Sequence, residues 1–283
     1  MPNVERRMPK DEPLGIQPSA FDVDERSFLL ALSILLTLTR FHLWRTVLYL
    51  IPAVSLYTVV LGTVSLLSTI FDPGGNFGHK CARAWARLIL KTTGVRVHVN
   101  GLVRIDPSRS YVFAANHQSI YDIPIVFAAL PYQLRIVAKD SLGKIPFLGW
   151  HLQRTGHLLV DRSRPGAGVI KKMARLVGEH HSLIVFPEGT RSVDGAVARF
   201  KGGSFVLALE SGVPVVPISI SGSRHVMQKG RLMVCPGDVT VTVHEPIDTS
   251  GVARHAVRAL ADRVREHVRA SLDESMASAD SSA

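Results

Sequence analysis

His117 and Asp122 stand five residues apart in the segment Asn-His-Gln-Ser-Ile-Tyr-Asp, directly after an apolar run at residues 111–115. An imidazole and a carboxylate within hydrogen-bond reach make a general base: the carboxylate holds one ring nitrogen while the other accepts a proton from a hydroxyl. On a regular helix a step of five turns about 500°, which leaves the two side chains on different faces. They can meet only if His117 lies in the loop before a helix and Asp122 in its first turn. Ser119 and Asp122 make a Ser-x-x-Asp capping pattern, and Pro124 is best tolerated near a helix start, so the local residues allow that geometry. With 12 histidines in the chain, chance alone supplies roughly 0.6 such spacings. The pair gains its weight from its company.

That company is residues 183–191, Leu-Ile-Val-Phe-Pro-Glu-Gly-Thr-Arg, a strand-like run entering a Pro/Gly turn with an acid and a base at its mouth. The carboxyl end of a buried strand is where α/β folds bind ligands. Arg191 offers a planar guanidinium that fits a phosphate bidentately. Cys81 and Cys235 are far apart, and His151, His157, His180 and His181 lack ligand spacing, so no metal site is expected. No Gly-x-Ser-x-Gly elbow occurs, which argues against a serine nucleophile.

The elements that must hold these residues begin near residue 95. β-prone runs at residues 95–99, 111–115, 134–138, 183–186, 215–220 and 239–243 alternate with helical patterns at 121–129, 165–178, 203–211 and 252–270. The expected fold is α/β, with a mixed, largely parallel sheet flanked by helices. Pro214 and Pro217, just before and within the fifth run, read as edge-strand or packing residues.

Upstream the chain changes character. Apolar stretches at residues 28–39 and 46–71 are separated by Arg40, His42 and Arg45. The second is uncharged and would run about 39 Å as a helix, more than the roughly 30 Å hydrocarbon core. Pro52 should break it, and an alternative division gives helices at 28–50 and 54–71. The first 27 residues lack the pattern of a secretory signal and read as a mobile tail. After the breaker at residues 72–76, Lys80, Arg83, Arg87 and Lys91 recur at helical spacing, as expected either of a basic face meeting anionic headgroups on a cytoplasmic surface or of a solvated helix face. The formal charge of +10 on 283 residues and a mean hydropathy of +0.19 agree with an anion-attracting body on a membrane foot.

Taken together the motifs are specific. Residues 116–122 match the NHxxxxD signature of the glycerolipid acyltransferase family, that of the 1-acylglycerol-3-phosphate acyltransferases, and residues 186–192 match its FPEGTRS block. Residues 156–162, Gly-His-Leu-Leu-Val-Asp-Arg, resemble the block between them, which ends on a phosphate-binding arginine, and residues 213–218 resemble the fourth, apolar block. The segments around Lys139 and Lys201 are similar to the family as well. The resemblance implies that His117 is the general base and Asp122 its orienting group. Arg162, Glu188, Gly189, Thr190, Arg191, Lys139 and Lys201 would shape the acceptor site. It implies transfer of an acyl group from acyl-CoA or acyl carrier protein to a lysophospholipid, with no cofactor and no nucleic-acid partner. It also implies an N-terminal two-helix membrane anchor, and a location on the cytoplasmic face of a membrane, the inner one if bacterial. The expected organisation is a tail at 1–27, membrane-associated helices at 28–71, the acyltransferase domain at 78–272 and a disordered tail at 273–283. Rival readings are a sister enzyme with another acceptor, a hydrolase, and a non-catalytic basic module docked on membranes.

Overall fold

The computed structural model of the chain describes residues 25–72, 74–160, 168, 175–176 and 181–280. Residues 1–41 form one compact unit and residues 42–283 a second. In the first, the described residues are helical and belong to α1 (Glu25–Arg45). A π-helical turn, Thr46–Leu50, and α2 (Ile51–Ser68) follow without a break. Two helices were expected here. Instead Leu32–Ser68 is a single helical run of 37 residues, long and apolar enough to cross a membrane by length and composition. Pro52 does not interrupt it because the preceding turn is widened: the Ile51 N–H bonds to Thr46 O, five residues back. A π-turn of this kind relieves the clash between a proline ring and the preceding turn.

α2 packs on α3 (Asn76–Thr93), where Trp85 Nε1 donates to Thr58 Oγ1 at 3.0 Å and Tyr57 and Thr92 share a 3.0 Å hydroxyl bond. Gly78 of α3 packs tightly, since a Cβ there would fall 3.0 Å from Ser65 Oγ of α2 and 2.6 Å from Thr155 Cγ2. The basic residues of α3 face outward as the spacing implied, with Lys80, Arg87 and Lys91 exposed and Arg83 half-buried. α3 ends on Gly94 at φ 79°, a left-handed cap that glycine adopts without strain.

The body of the second unit is a sheet of seven strands: β1 (Val95–Asn100), β2 (Val112–Ala115), β3 (Leu134–Lys139), β4 (Leu158–Val160), β5 (Ser182–Val185), β6 (Val215–Ser221) and β7 (Gly237–Val243). Their order is β1-β7-β6-β2-β5-β3-β4. Every neighbouring pair is parallel except β6 and β7. The helices are α4 (Asp122–Ala129), α5 (Leu148–Arg154), α6 (Gly203–Ser211) and α7 (Val257–Asp280). In β2, Phe113 and Ala115 belong to one core cluster and Val112 and Ala114 to the other. Burial on both faces is why these strands read as continuous apolar runs.

β4 and α5 have no counterpart in the expected elements, and most of the expected helix at 165–178 lies outside the described residues. Pro217 is not on an edge: β6 lies between β2 and β7, and its carbonyl accepts the His244 N–H at 3.1 Å. The tail expected from residue 273 is helical as far as Asp280. Its Ala, Met and Glu residues favour helix, and the preceding turns are already nucleated.

Under α3 and α4 the core holds His79, His151, His157 and Arg135, all less than 9% exposed. Arg135 donates to Gly74 O, Leu134 O and Gln133 Oε1. His151 Nδ1 pairs with Ser65 Oγ at 2.7 Å, and His157 Nδ1 accepts the Ile136 N–H at 3.0 Å. That bond accounts for a histidine in the Gly-His-Leu-Leu-Val segment. Burial, reinforced by the Arg135 charge, lowers His79 and His151 to about 4 and His157 well below its ordinary value.

Between pH 6.5 and 4 the unfolded chain therefore binds protons at these sites that the folded chain does not, so stability falls as the pH drops. Each histidine contributes at most about 1.4 kcal/mol per pH unit. The expected result is a Tm that declines steadily from pH 7 to 4.5 in a calorimetric series. The decline should be shallower in His79→Phe; an equal slope in that variant would exclude His79 as a contributor.

Candidate active site

β2 and β5 are neighbours and parallel, with Ala114 beside Val185, so the segments leaving their carboxyl ends emerge together. Asn116 extends the ladder: its side-chain amide donates to Ile220 O at 2.9 Å and accepts the Ile220 N–H at 2.8 Å. His117 follows in the loop, and Asp122 is the first residue of α4, the geometry the spacing demanded.

His117 Nδ1 and Asp122 Oδ2 are 2.8 Å apart. The same oxygen accepts the backbone N–H groups of Gln118 at 2.8 Å and Ser119 at 2.9 Å. Asp122 is fully buried, and its Oδ1 has no hydrogen-bond partner among the described residues. The capping box is only half formed. Asp122 reaches back to the Ser119 N–H, while Ser119 Oγ accepts the Tyr121 N–H at 3.3 Å, not that of Asp122, and donates to Met227 O at 2.7 Å. The imidazole of His117 stacks on Phe186, with centroids 4.2 Å apart. With Nδ1 turned to the carboxylate, Nε2 is the nitrogen left for a reacting hydroxyl.

Glu188 fixes the second strand's exit against the first. Its Oε1 accepts the His117 N–H at 2.7 Å and its Oε2 the Ala198 N–H at 3.0 Å. Burial pushes this carboxyl above its ordinary value, and the two N–H bonds pull it back. This carboxylate ties two backbone segments together. Ser192 N–H adds a 2.7 Å bond to His117 O. Gly189 turns at φ 75°, a conformation that glycine adopts without strain, and Lys201 Nζ lies close beside it.

The expected site residues divide by position. Glu188, Gly189, Thr190, Arg191 and Lys201 gather at the turn after β5, beside His117. Lys139 is exposed at the carboxyl end of β3, two strands from β2. Arg162 lies outside the described residues. Two contributors left no sequence signal. Lys229 Nζ donates to Thr190 Oγ1 at 3.1 Å and to Arg191 O at 2.8 Å. Arg265 on α7 donates to Val197 O and Ala198 O, bracing the segment that Glu188 grips.

Next to the pair lies an apolar cavity of about 190 Å³. Ile120 and Ile123 bring it to the His117–Asp122 segment, and Leu61, Ala82, Trp85 and Leu148 line it further in. A buried base, a basic turn and an apolar cavity in one place suit an amphiphile with an anionic head.

Residues 96–221 match the model of the acyltransferase family. The chain is 34% identical over 175 residues to 1-acyl-sn-glycerol-3-phosphate acyltransferase BAT2, chloroplastic, of Brassica napus, covering 60% of this chain and 50% of that protein. It is 36% identical over 175 residues to human 1-acyl-sn-glycerol-3-phosphate acyltransferase alpha, covering 61% and 62%. The chain thus spans between about half and three fifths of the length of these relatives. The crystal structure of the 1-acyl-sn-glycerophosphate acyltransferase PlsC from Thermotoga maritima superposes with a TM-score of 0.73 at 29% identity, covering 84% of this chain and 98% of that one.

Proposed function

We propose that this protein transfers a fatty acyl group from an acyl thioester, acyl-CoA or acyl carrier protein, to the sn-2 hydroxyl of 1-acylglycerol 3-phosphate, forming phosphatidic acid. The observation that carries this reading is the His117–Asp122 pair set between an apolar cavity and a basic turn. His117 Nε2 takes the hydroxyl proton as the oxygen attacks the thioester carbonyl. The C–O bond forms, the C–S bond breaks, and the imidazolium returns the proton to the departing thiolate. Asp122 keeps Nδ1–H directed at itself and stabilises the charge that the ring acquires. Arg191 and Lys201 hold the acceptor's phosphate, with Lys139 and Arg162 as further contributors. No cofactor takes part. The apolar helical run supports membrane attachment, and the exposed Lys80, Arg87 and Lys91 support contact with anionic headgroups on the cytoplasmic face, that of the inner membrane if the chain is bacterial.

The test supplies labelled acyl-CoA or acyl carrier protein to the full chain in liposomes with 1-acylglycerol 3-phosphate, glycerol 3-phosphate and 1-acylglycerophosphocholine. Phosphatidic acid is the expected main product. Faster transfer to another acceptor would overturn the substrate, and transfer to none would overturn the reaction.

The cavity carries a second expectation. Ala82→Phe fills it with a ring in place of a methyl group, so long acyl chains lose room that short ones never used. In a chain-length series, kcat/KM for the longest acyl group should fall about tenfold relative to the shortest, roughly the effect of one or two methylenes. An unchanged series would mean that the chain binds elsewhere.

A further inference from the structure

Lys229 lies in the loop between the short helical turn Ser223–Val226 and β7, outside every motif of the sequence. The loop is pinned at several points. Met227 O accepts from Ser119 Oγ at 2.7 Å, two residues from His117. Val234 N–H donates to Thr46 Oγ1 at 3.0 Å, and Val234 O accepts from Arg45 Nη2 at 3.2 Å. Lys229 is therefore delivered by a loop tied both to the catalytic segment and to the residues that open the helical run through α2.

Its ammonium is half-buried, and both of its acceptors, the Thr190 hydroxyl and the Arg191 carbonyl, are neutral. Among the described residues no carboxylate pairs with Lys229, Lys201 or Arg191. An ammonium has three donors, so two are used and one remains. A half-buried lysine without a counter-charge, beside two more cations around one turn, is arranged for an anion.

We propose that Lys229 is a specificity-determining residue of the acceptor site. It would contact the acceptor's phosphate with its remaining N–H while fixing Thr190 and Arg191 in place. This rests on the reaction proposed above, with a phosphate monoester as acceptor. A dianionic monoester gains more from the added cation than a zwitterionic phosphodiester, and an uncharged monoacylglycerol gains nothing.

The experiment compares wild type, Lys229→Gln and Lys229→Arg as full chains in liposomes. Glutamine keeps an N–H for Thr190 and Arg191 but no charge; arginine keeps both. Lys229→Gln should raise KM for 1-acylglycerol 3-phosphate by about 10- to 100-fold, the scale of one charge-assisted contact. KM for acyl-CoA should stay within about twofold, any transfer to monoacylglycerol should fall far less than transfer to 1-acylglycerol 3-phosphate, and Lys229→Arg should recover most of the loss. An unchanged acceptor KM, or an equal loss for monoacylglycerol, would overturn the proposal. The two readings fail separately, because glycerol 3-phosphate binding is also followed by thermal shift. Wild type stabilised by it and Lys229→Gln not stabilised supports the anion site even if no acyl transfer is found. Equal stabilisation of both overturns the site even if transfer occurs.

Discussion

Replacing His117 by alanine should lower kcat/KM for acyl transfer by about 10² to 10⁴, the usual worth of a positioned general base. The large effect follows from how little else can do the task. Glu188 is committed to the His117 and Ala198 N–H groups, and Asp122 is buried behind the ring. The variant should still fold. Asp122 Oδ2 keeps the Gln118 and Ser119 N–H bonds, and the His117 backbone keeps its bonds to Glu188 and Ser192. The losses are the ring stack on Phe186 and the Nδ1–Asp122 bond, together about 1–3 kcal/mol on the scale of buried truncations. Single-turnover kinetics with saturating acyl-CoA, alongside a thermal melt, separates the two effects. Full transfer by His117→Ala would remove His117 from the chemistry altogether.

How much of this was legible before any coordinates depends on how local each cause is. β2 and β5 are visible because strands covered on both faces must be apolar throughout, and the His117–Asp122 geometry because a five-residue step permits contact only across a loop-to-helix junction. Pro52 misleads. A proline predicts a break, but a π-turn absorbs it within the preceding five residues, and no composition rule announces that turn. Ser119 is only partly legible: its hydroxyl accepts the nearby Tyr121 N–H, as a cap would, but its proton goes to Met227 O, 108 residues away. The three-residue β4 and the short α5 fall below the length at which periodicity can be counted. Lys229 is the least legible. Its role exists only once the loop before β7 is folded back over the turn after β5, a closure 39 residues from Thr190.

The second large effect separates charge from geometry at Asp122. Oδ2 holds His117 Nδ1, the Gln118 N–H and the Ser119 N–H, whereas Oδ1 holds nothing among the described residues. In Asp122→Asn the amide oxygen can occupy the Oδ2 position and accept all three bonds, with the amide nitrogen where Oδ1 stood. The scaffold then survives, but the imidazolium formed on proton transfer has no anion behind it. Transfer should drop by about 10² to 10⁴, and the amide N–H groups left without an acceptor at the Oδ1 position should cost about 1–3 kcal/mol of stability. In Asp122→Ala the ring loses its orienting partner, and two buried N–H groups lose their acceptor. Activity should fall at least as far, and stability by about 2–4 kcal/mol, since each unsatisfied buried donor costs roughly 1–3 and such costs do not add fully. If Asp122→Asn retained wild-type transfer, the carboxylate would be a structural clamp for the loop, and its charge would have no part in the reaction. If both variants lost stability equally, the amide would be failing to take the oxygen's place, and the comparison would measure the clamp alone.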